Sequence, residues 1–97
     1  MPTVGYMLTV QTMTALLVDG LALSATADDL KRMFTPFGSV LWCRVAVDHC
    51  GQSLRYGYVA MDTEDHAEKA ISALNGQLTA GFTITIARTA PPPLPHP

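Results

Sequence analysis

Two segments of the chain repeat apolar residues at the spacing of an amphipathic helix, and each follows a threonine suited to helix capping. Asp29 comes three residues after Thr26, which is a capping-box pattern, and Thr63 is followed directly by acidic residues. The i, i+3, i+4, i+7 spacing is met by Leu30, Met33, Phe34 and Phe37, and again by Ala67, Ala70, Ile71 and Leu74. Each predicted helix has one apolar stripe, so we expect both helices to cover the same side of another element.

Four segments with strand-like patterns surround these helices, at residues 16–21, 40–47, 54–61 and 82–87. The order strand, helix, strand, strand, helix, strand is the split βαβ pattern. It predicts an α+β fold, a ferredoxin-like βαββαβ sandwich. Its four-stranded antiparallel sheet would carry both helices on one face and leave the other face open.

Composition limits the classes of function. The chain has 97 residues, a net charge of −2 and two cysteines without metal-ligand spacing, so we expect one domain, no cofactor, no metal and no enzyme active site. No apolar run approaches the roughly 20 residues that span a membrane. The first basic residue is Lys31, so we interpret the start as mature protein, and two cysteines favour a reducing, cytoplasmic location.

The two ends differ in composition from the middle. We interpret residues 1–14, which contain no acid or base, as an N-terminal arm. Residues 90–97 contain five prolines and predict a flexible tail of polyproline type. The folded domain is therefore expected to cover residues 15–89.

Strand alternation predicts which side chains lie on the open face. In the octamer LRYGYVAM, residues 54–61, the large polar rings of Tyr56 and Tyr58 share one face, whereas Val59 and Met61 share the other. Two rings two residues apart are separated by about 7 Å, which suits successive nucleic-acid bases. The same parity puts further residues on this face: Leu17, Trp42, Arg44, Thr83, Thr85 and Ala87.

These motifs together resemble the RNA recognition motif family, whose octamer is K/R-G-F/Y-G/A-F-V-x-F/Y. The third to sixth positions match, Leu54 replaces the basic residue, Arg55 brings a cation one position late, and Met61 replaces the last aromatic. The family's hexamer on the first strand matches residues 16–21, but Leu17 stands where an outward aromatic is usual. The run Tyr58 to Met61 looks most like small single-domain bacterial members of the family.

The resemblance implies single-stranded RNA lying across the sheet, with single-stranded DNA as a second candidate. Tyr56 and Tyr58 would stack bases, and Leu17 would give apolar contact without a ring. Trp42 either replaces the missing ring or packs under the arm or tail. Arg44, Arg55 and Arg88 are expected to contact the RNA phosphates, and Thr85 is expected to contact the RNA from the same face. About three phosphate contacts predict a salt slope near −2 and a footprint of about two to four nucleotides.

Two other functions compete with RNA binding. The missing aromatic, the negative net charge and an apolar set of Leu17, Trp42 and Ala46 are compatible with a protein-interaction module or a homodimer on the same sheet face. A small acyl-phosphate hydrolase of the same architecture would need an anion-binding loop, and residues 20–23, GLAL, are poorly suited to one.

Overall fold

A computed structural model describes residues 13–79 and 81–89. The strands of the main sheet are β1 (Thr14–Asp19), β2 (Val40–Val47), β3 (Ser53–Met61) and β6 (Thr85–Arg88). Helices α1 (Ala27–Phe34) and α2 (Glu64–Leu74) alternate with them, and a short 3-10 turn, Thr35–Phe37, follows α1. A small hairpin of β4 (Leu78–Thr79) and β5 (Phe82–Thr83) precedes β6.

The four main strands form an antiparallel sheet in the order β2-β3-β1-β6. Both helices pack on one face of it, around a buried core whose largest members are Phe34, Leu16, Leu30, Met61 and Ile84. The predicted ferredoxin-like α+β sandwich is therefore confirmed.

Both helix starts follow the local sequence. The Thr26 hydroxyl accepts from the Asp29 N–H at 3.2 Å, and the Asp29 carboxylate accepts from the Thr26 N–H at 3.0 Å, which completes the capping box. Thr63 caps α2 by accepting from the His66 N–H at 3.1 Å. Pro36 lies in the 3-10 turn, where the α-helix ends because proline has no N–H to donate.

One boundary differs from the predictions. β1 begins at Thr14, within the segment assigned to the arm, and the Thr89 N–H donates to the Ala15 carbonyl at 3.0 Å. The rest of the arm, residues 1–12, and the predicted tail, residues 90–97, lie outside the described residues.

The predicted fourth strand is divided into two parts. Phe82–Thr83 pairs with Leu78–Thr79 in the hairpin, and only Thr85–Arg88 joins β1 in the main sheet. Ile84 stands between them, with its N–H donating to the Gln77 carbonyl and its own carbonyl accepting from the Gly76 N–H. The division removes Thr83 from the main sheet, although alternation placed it on the open face.

Candidate nucleic-acid interface

The middle of the open face is a row of directly opposed residues on neighbouring strands. Tyr58 on β3 lies opposite Arg44 on β2 and opposite Leu17 on β1, and Leu17 in turn lies opposite Ala87 on β6. Directly opposed residues in an antiparallel sheet point to the same side. We call this set, Arg44, Tyr58, Leu17 and Ala87, the central row.

Two further rows flank the central row. On one side Tyr56 lies opposite Asp19, which lies opposite the exposed Thr85. On the other side Ala60 lies opposite Trp42 and Ala15, and both alanines are buried although they face away from the helices. Trp42 is half-buried, so both of its predicted roles, base contact and packing, stay predictions.

The two tyrosine rings are arranged edge to face. Their centroids are 6.0 Å apart, and their planes meet at 82°. When one ring presents its face to a base lying on the sheet, the other presents its edge. The pair therefore offers one stacking surface and one edge contact in this arrangement, whereas the spacing alone suggested two equivalent stacking positions.

A glycine behind the central row lets β3 lie close to strand β2 and to helix α1. A Cβ atom on Gly57 would lie 2.5 Å from the Arg44 carbonyl oxygen and 2.8 Å from Leu30 Cδ1 of α1. Both distances are shorter than real contacts allow, so only glycine fits. This close approach sets the position of Tyr58, the next residue, relative to Arg44.

Arg88 lies on the other side of the sheet from the tyrosines. It stands opposite Leu16, a core residue, and its Nε donates to Glu64 Oε2 on α2 at 2.6 Å. A second ion pair joins it to Glu68 at 3.4 Å. The prediction that Arg88 lies on or beside the open face is wrong, because Arg88 shares the parity of Ile84 and Ile86 and pairs with acidic residues of α2.

The remaining arginines differ in setting. Arg44 is exposed in the central row, and within residues 13–79 and 81–89 its guanidinium has no ion-pair partner. Arg55 lies near the start of β3, where its Nε donates to the Leu21 carbonyl at 3.2 Å and its guanidinium carbon is 4.3 Å from the centre of the Phe82 ring. The positive charge near the open face is thus smaller than the sequence suggested.

Phe82 is a core residue by strand alternation, but the structure exposes 39% of it. It belongs to β5, and the hairpin turns its ring towards Arg55. An aromatic residue next to the start of β3 is a candidate for nucleic-acid contact. Gly81, immediately before Phe82, is the feature of the sequence that could have indicated an irregular strand at this position.

The described residues offer little for other chemistry. A cavity of about 310 Å³ lies on the helix side, with Leu21, Met33 and Ile84 among its lining residues, away from the tyrosines. Burial raises the pKa of the half-buried Cys43 thiol, which disfavours the reactive thiolate. Residues 13–79 and 81–89 hold no group of three or more His, Cys, Asp or Glu arranged to bind a metal, and each helix among them is too short or too polar to span a bilayer.

Comparison with known proteins shows the family. The RNA recognition motif matches residues 16–85, so the chain belongs to the RNA recognition motif family. Over 73 residues, 75% of this chain, it is 45% identical to polyadenylate-binding protein 6 of Arabidopsis thaliana, of which the match covers 13%. The chain thus spans a small part of the curated relatives it matches.

Solved structures agree with this membership. RNA-binding protein PG1 superposes with a TM-score of 0.80 at 27% identity, covering 84% of this chain and 99% of that one. The Sxl-lethal protein/RNA complex has a TM-score of 0.74 at 26% identity, covering 78% of this chain and 47% of that one. The family and these likenesses support RNA binding over a protein-interaction role; the expected likeness to bacterial members stays a prediction.

Proposed function

We propose that this domain binds single-stranded RNA across the open face, with the central row as the centre of the site. The observation that carries the proposal is the direct opposition of Arg44, Tyr58 and Leu17 on three neighbouring strands. A ring stacks on any base, the adjacent guanidinium suits the phosphate beside that base, and the leucine gives apolar contact.

The ring geometry favours a short site. One base stacks on the face of one tyrosine ring, and the other tyrosine contacts the neighbouring nucleotide through its edge. Trp42 and Thr85 extend the contacts at the two sides of the face. This arrangement supports a footprint of about two to four nucleotides and an affinity that is modest for one domain.

The similar proteins suggest the first RNA to use. Several relatives in Arabidopsis thaliana, Eremothecium gossypii and Candida glabrata are named polyadenylate-binding proteins. We therefore propose adenosine-rich RNA as the preferred ligand and uridine-rich RNA and single-stranded DNA as comparisons. Two of these relatives, from Eremothecium gossypii and Candida glabrata, are named as cytoplasmic and nuclear, and we propose a cytoplasmic location for this protein.

Amide chemical-shift titration with oligoadenylate tests the binding face. The amides of Arg44, Tyr56 and Tyr58 should move on addition of RNA, while those of α2 stay in place. Tyr58→Ala should weaken binding by roughly fivefold or more, because a stacked base is worth about 1–3 kcal/mol. Lys69→Ala, which removes an exposed cation on α2, is the matched control and should leave binding unchanged.

The same samples separate RNA binding from dimerisation through this face. If the sheet face is an RNA site, Tyr58→Ala changes the titration but not the sedimentation coefficient. Shifts confined to the helices, or a Tyr58→Ala variant that binds RNA as the wild type does, would exclude the central row as the site.

A further inference from the structure

Arg55 occupies a backbone conformation that residues other than glycine seldom adopt. Its φ is +66°, in the left-handed region. It lies in a β-bulge, since the residues between Ser53 and Gly57 on β3 stand against Ala46 alone on β2. Bulges change the direction of a side chain, and strained backbone is concentrated at functional positions.

Contacts on every side hold Arg55 in this conformation. Its N–H donates to the Ser53 hydroxyl at 2.9 Å, and its carbonyl accepts from the Leu21 N–H at 3.0 Å. Its Nε donates to the Leu21 carbonyl, and its guanidinium covers the Phe82 ring at 4.3 Å. The side chain therefore reaches from β3 past the end of β1 to the hairpin.

The tip of the Arg55 side chain and part of Phe82 are free to contact a ligand. Among the described residues, the two Nη groups of Arg55 make no hydrogen bond, and 39% of Phe82 is exposed. The hairpin lies close to the end of β1, because a Cβ atom on Gly20 would lie 2.1 Å from the Thr83 carbonyl oxygen. Arg55 directly precedes Tyr56 in β3. Its contact with Phe82 therefore lies at the end of the sheet next to the row that contains Tyr56.

We propose that Arg55 and Phe82 form a further nucleotide-binding position, which receives the RNA strand as it leaves Tyr56. The free Nη groups would donate to a phosphate, and the exposed part of the Phe82 ring would pack against the base. Arginine presents a planar fork that fits a phosphate, and its stacking on the ring fixes the fork in advance. This inference rests on the proposed function, which it extends beyond Tyr56 to the Phe82 ring.

RNA length separates this role from a purely structural one. A trinucleotide fills the central row and the rows beside it, whereas a heptanucleotide is long enough to reach Phe82 as well. A structural brace would change the melting temperature on substitution but would not change how affinity depends on RNA length. If the two residues bind a nucleotide, their substitution should lower the ratio of heptanucleotide to trinucleotide affinity.

The test compares the affinities of oligoadenylate trinucleotide and heptanucleotide for the wild type, Arg55→Gly and Phe82→Leu. Glycine adopts a positive φ freely and leucine keeps apolar bulk at an exposed site, so both variants should fold. We expect each to weaken heptanucleotide binding about fivefold or more, in the range of one lost stacking contact, and to leave trinucleotide binding unchanged. The double variant should bind as weakly as either single variant, because the two residues act together.

Two results would overturn the inference. If the ratio of heptanucleotide to trinucleotide affinity in both variants equals that of the wild type, Arg55 and Phe82 only brace the fold. If Tyr58→Ala leaves trinucleotide binding intact, the proposed function fails and this position fails with it. If Arg55→Gly and Phe82→Leu weaken heptanucleotide binding alone, and Tyr58→Ala weakens trinucleotide binding, the results support both the proposed function and this further position.

Discussion

Arg88 and Glu64 form a charge-assisted hydrogen bond of 2.6 Å that joins the last strand of the sheet to helix α2. The Thr14 hydroxyl donates to the other carboxylate oxygen at 3.1 Å, so the contact connects both ends of the described domain. This pairing directs the Arg88 side chain away from the tyrosines. It makes Arg88 a candidate for stability rather than for RNA binding.

The Arg88 contact predicts a pH-dependent stability. The hydrogen bond from Arg88 lowers the pKa of Glu64 in the folded protein. A carboxylate with a lowered pKa stabilises the fold above its unfolded pKa of about 4.3, and this contribution is lost as the pH falls through the folded value. Arg88→Gln should therefore melt below the wild type at pH 7, and the difference should shrink in strong acid.

Oligoadenylate binding by Arg88→Gln at pH 7 serves as the control for this prediction. The affinity should match that of the wild type, because the side chain lies behind the sheet. A loss as large as that of an Arg44 variant would place Arg88 in the site after all.

The salt dependence of RNA binding should correspond to phosphate contacts from two arginines. Arg44 and Arg55 remain as candidates for phosphate contact, so the logarithm of the binding constant should fall with the logarithm of salt at a slope of about −1.4, at roughly 0.7 per contact. Arg44→Gln should reduce the slope to about −0.7. Titrations of the oligoadenylate heptanucleotide, which is long enough to reach both arginines, at several sodium chloride concentrations measure both values. A slope unaffected by Arg44→Gln would remove Arg44 from the site.

An aromatic residue at position 17 should strengthen binding. Leu17 is half-buried beside Tyr58 and opposite the exposed Ala87, so a ring there would lie on the open face. Leu17→Tyr should gain about 1 kcal/mol, roughly fivefold in affinity, from a new stacking contact. Anisotropy with labelled oligoadenylate measures the gain, and Leu17→Met, which adds no ring, is the control expected to bind as the wild type does.

A methyl group at Gly57 should destabilise the domain. Gly57→Ala puts a Cβ atom against the Arg44 carbonyl and Leu30 Cδ1, and neither the backbone nor the close-packed core has room to yield. We expect a loss of about 1–3 kcal/mol in the free energy of unfolding, measured with urea. Gly57 is not among the glycines with a positive φ, so the loss would come from crowding and not from backbone strain. An unchanged free energy of unfolding would show that Arg44 and Leu30 yield to the methyl group.

Local patterns in the sequence were sufficient for most of the framework. Helix starts depend on residues three positions apart, as at Thr26 and Asp29, so they can be recognised without knowing the fold. Alternation placed Leu17, Arg44 and Tyr58 on one face correctly, because the strands run without interruption through these positions.

Alternation failed where a strand is irregular. The break in the fourth strand exposed Phe82 and took Thr83 out of the main sheet. The bulge around Arg55 likewise gave its side chain a direction that a count of residues does not supply. Both irregularities depend on how a strand pairs with distant parts of the chain, which the alternation of residues along one strand does not show.

The sequence by itself determined the order of elements, the helix caps and the face on which Tyr56 and Tyr58 lie, since each depends on residues close together in the chain. Only the tertiary structure decided the partners of the arginines. Arg88 meets Glu64 from 24 positions away, and Arg55 meets Leu21 from 34 positions away. Charge and hydrogen bonding act through space, so which arginine remains free for RNA is settled by the packing of strands and helices.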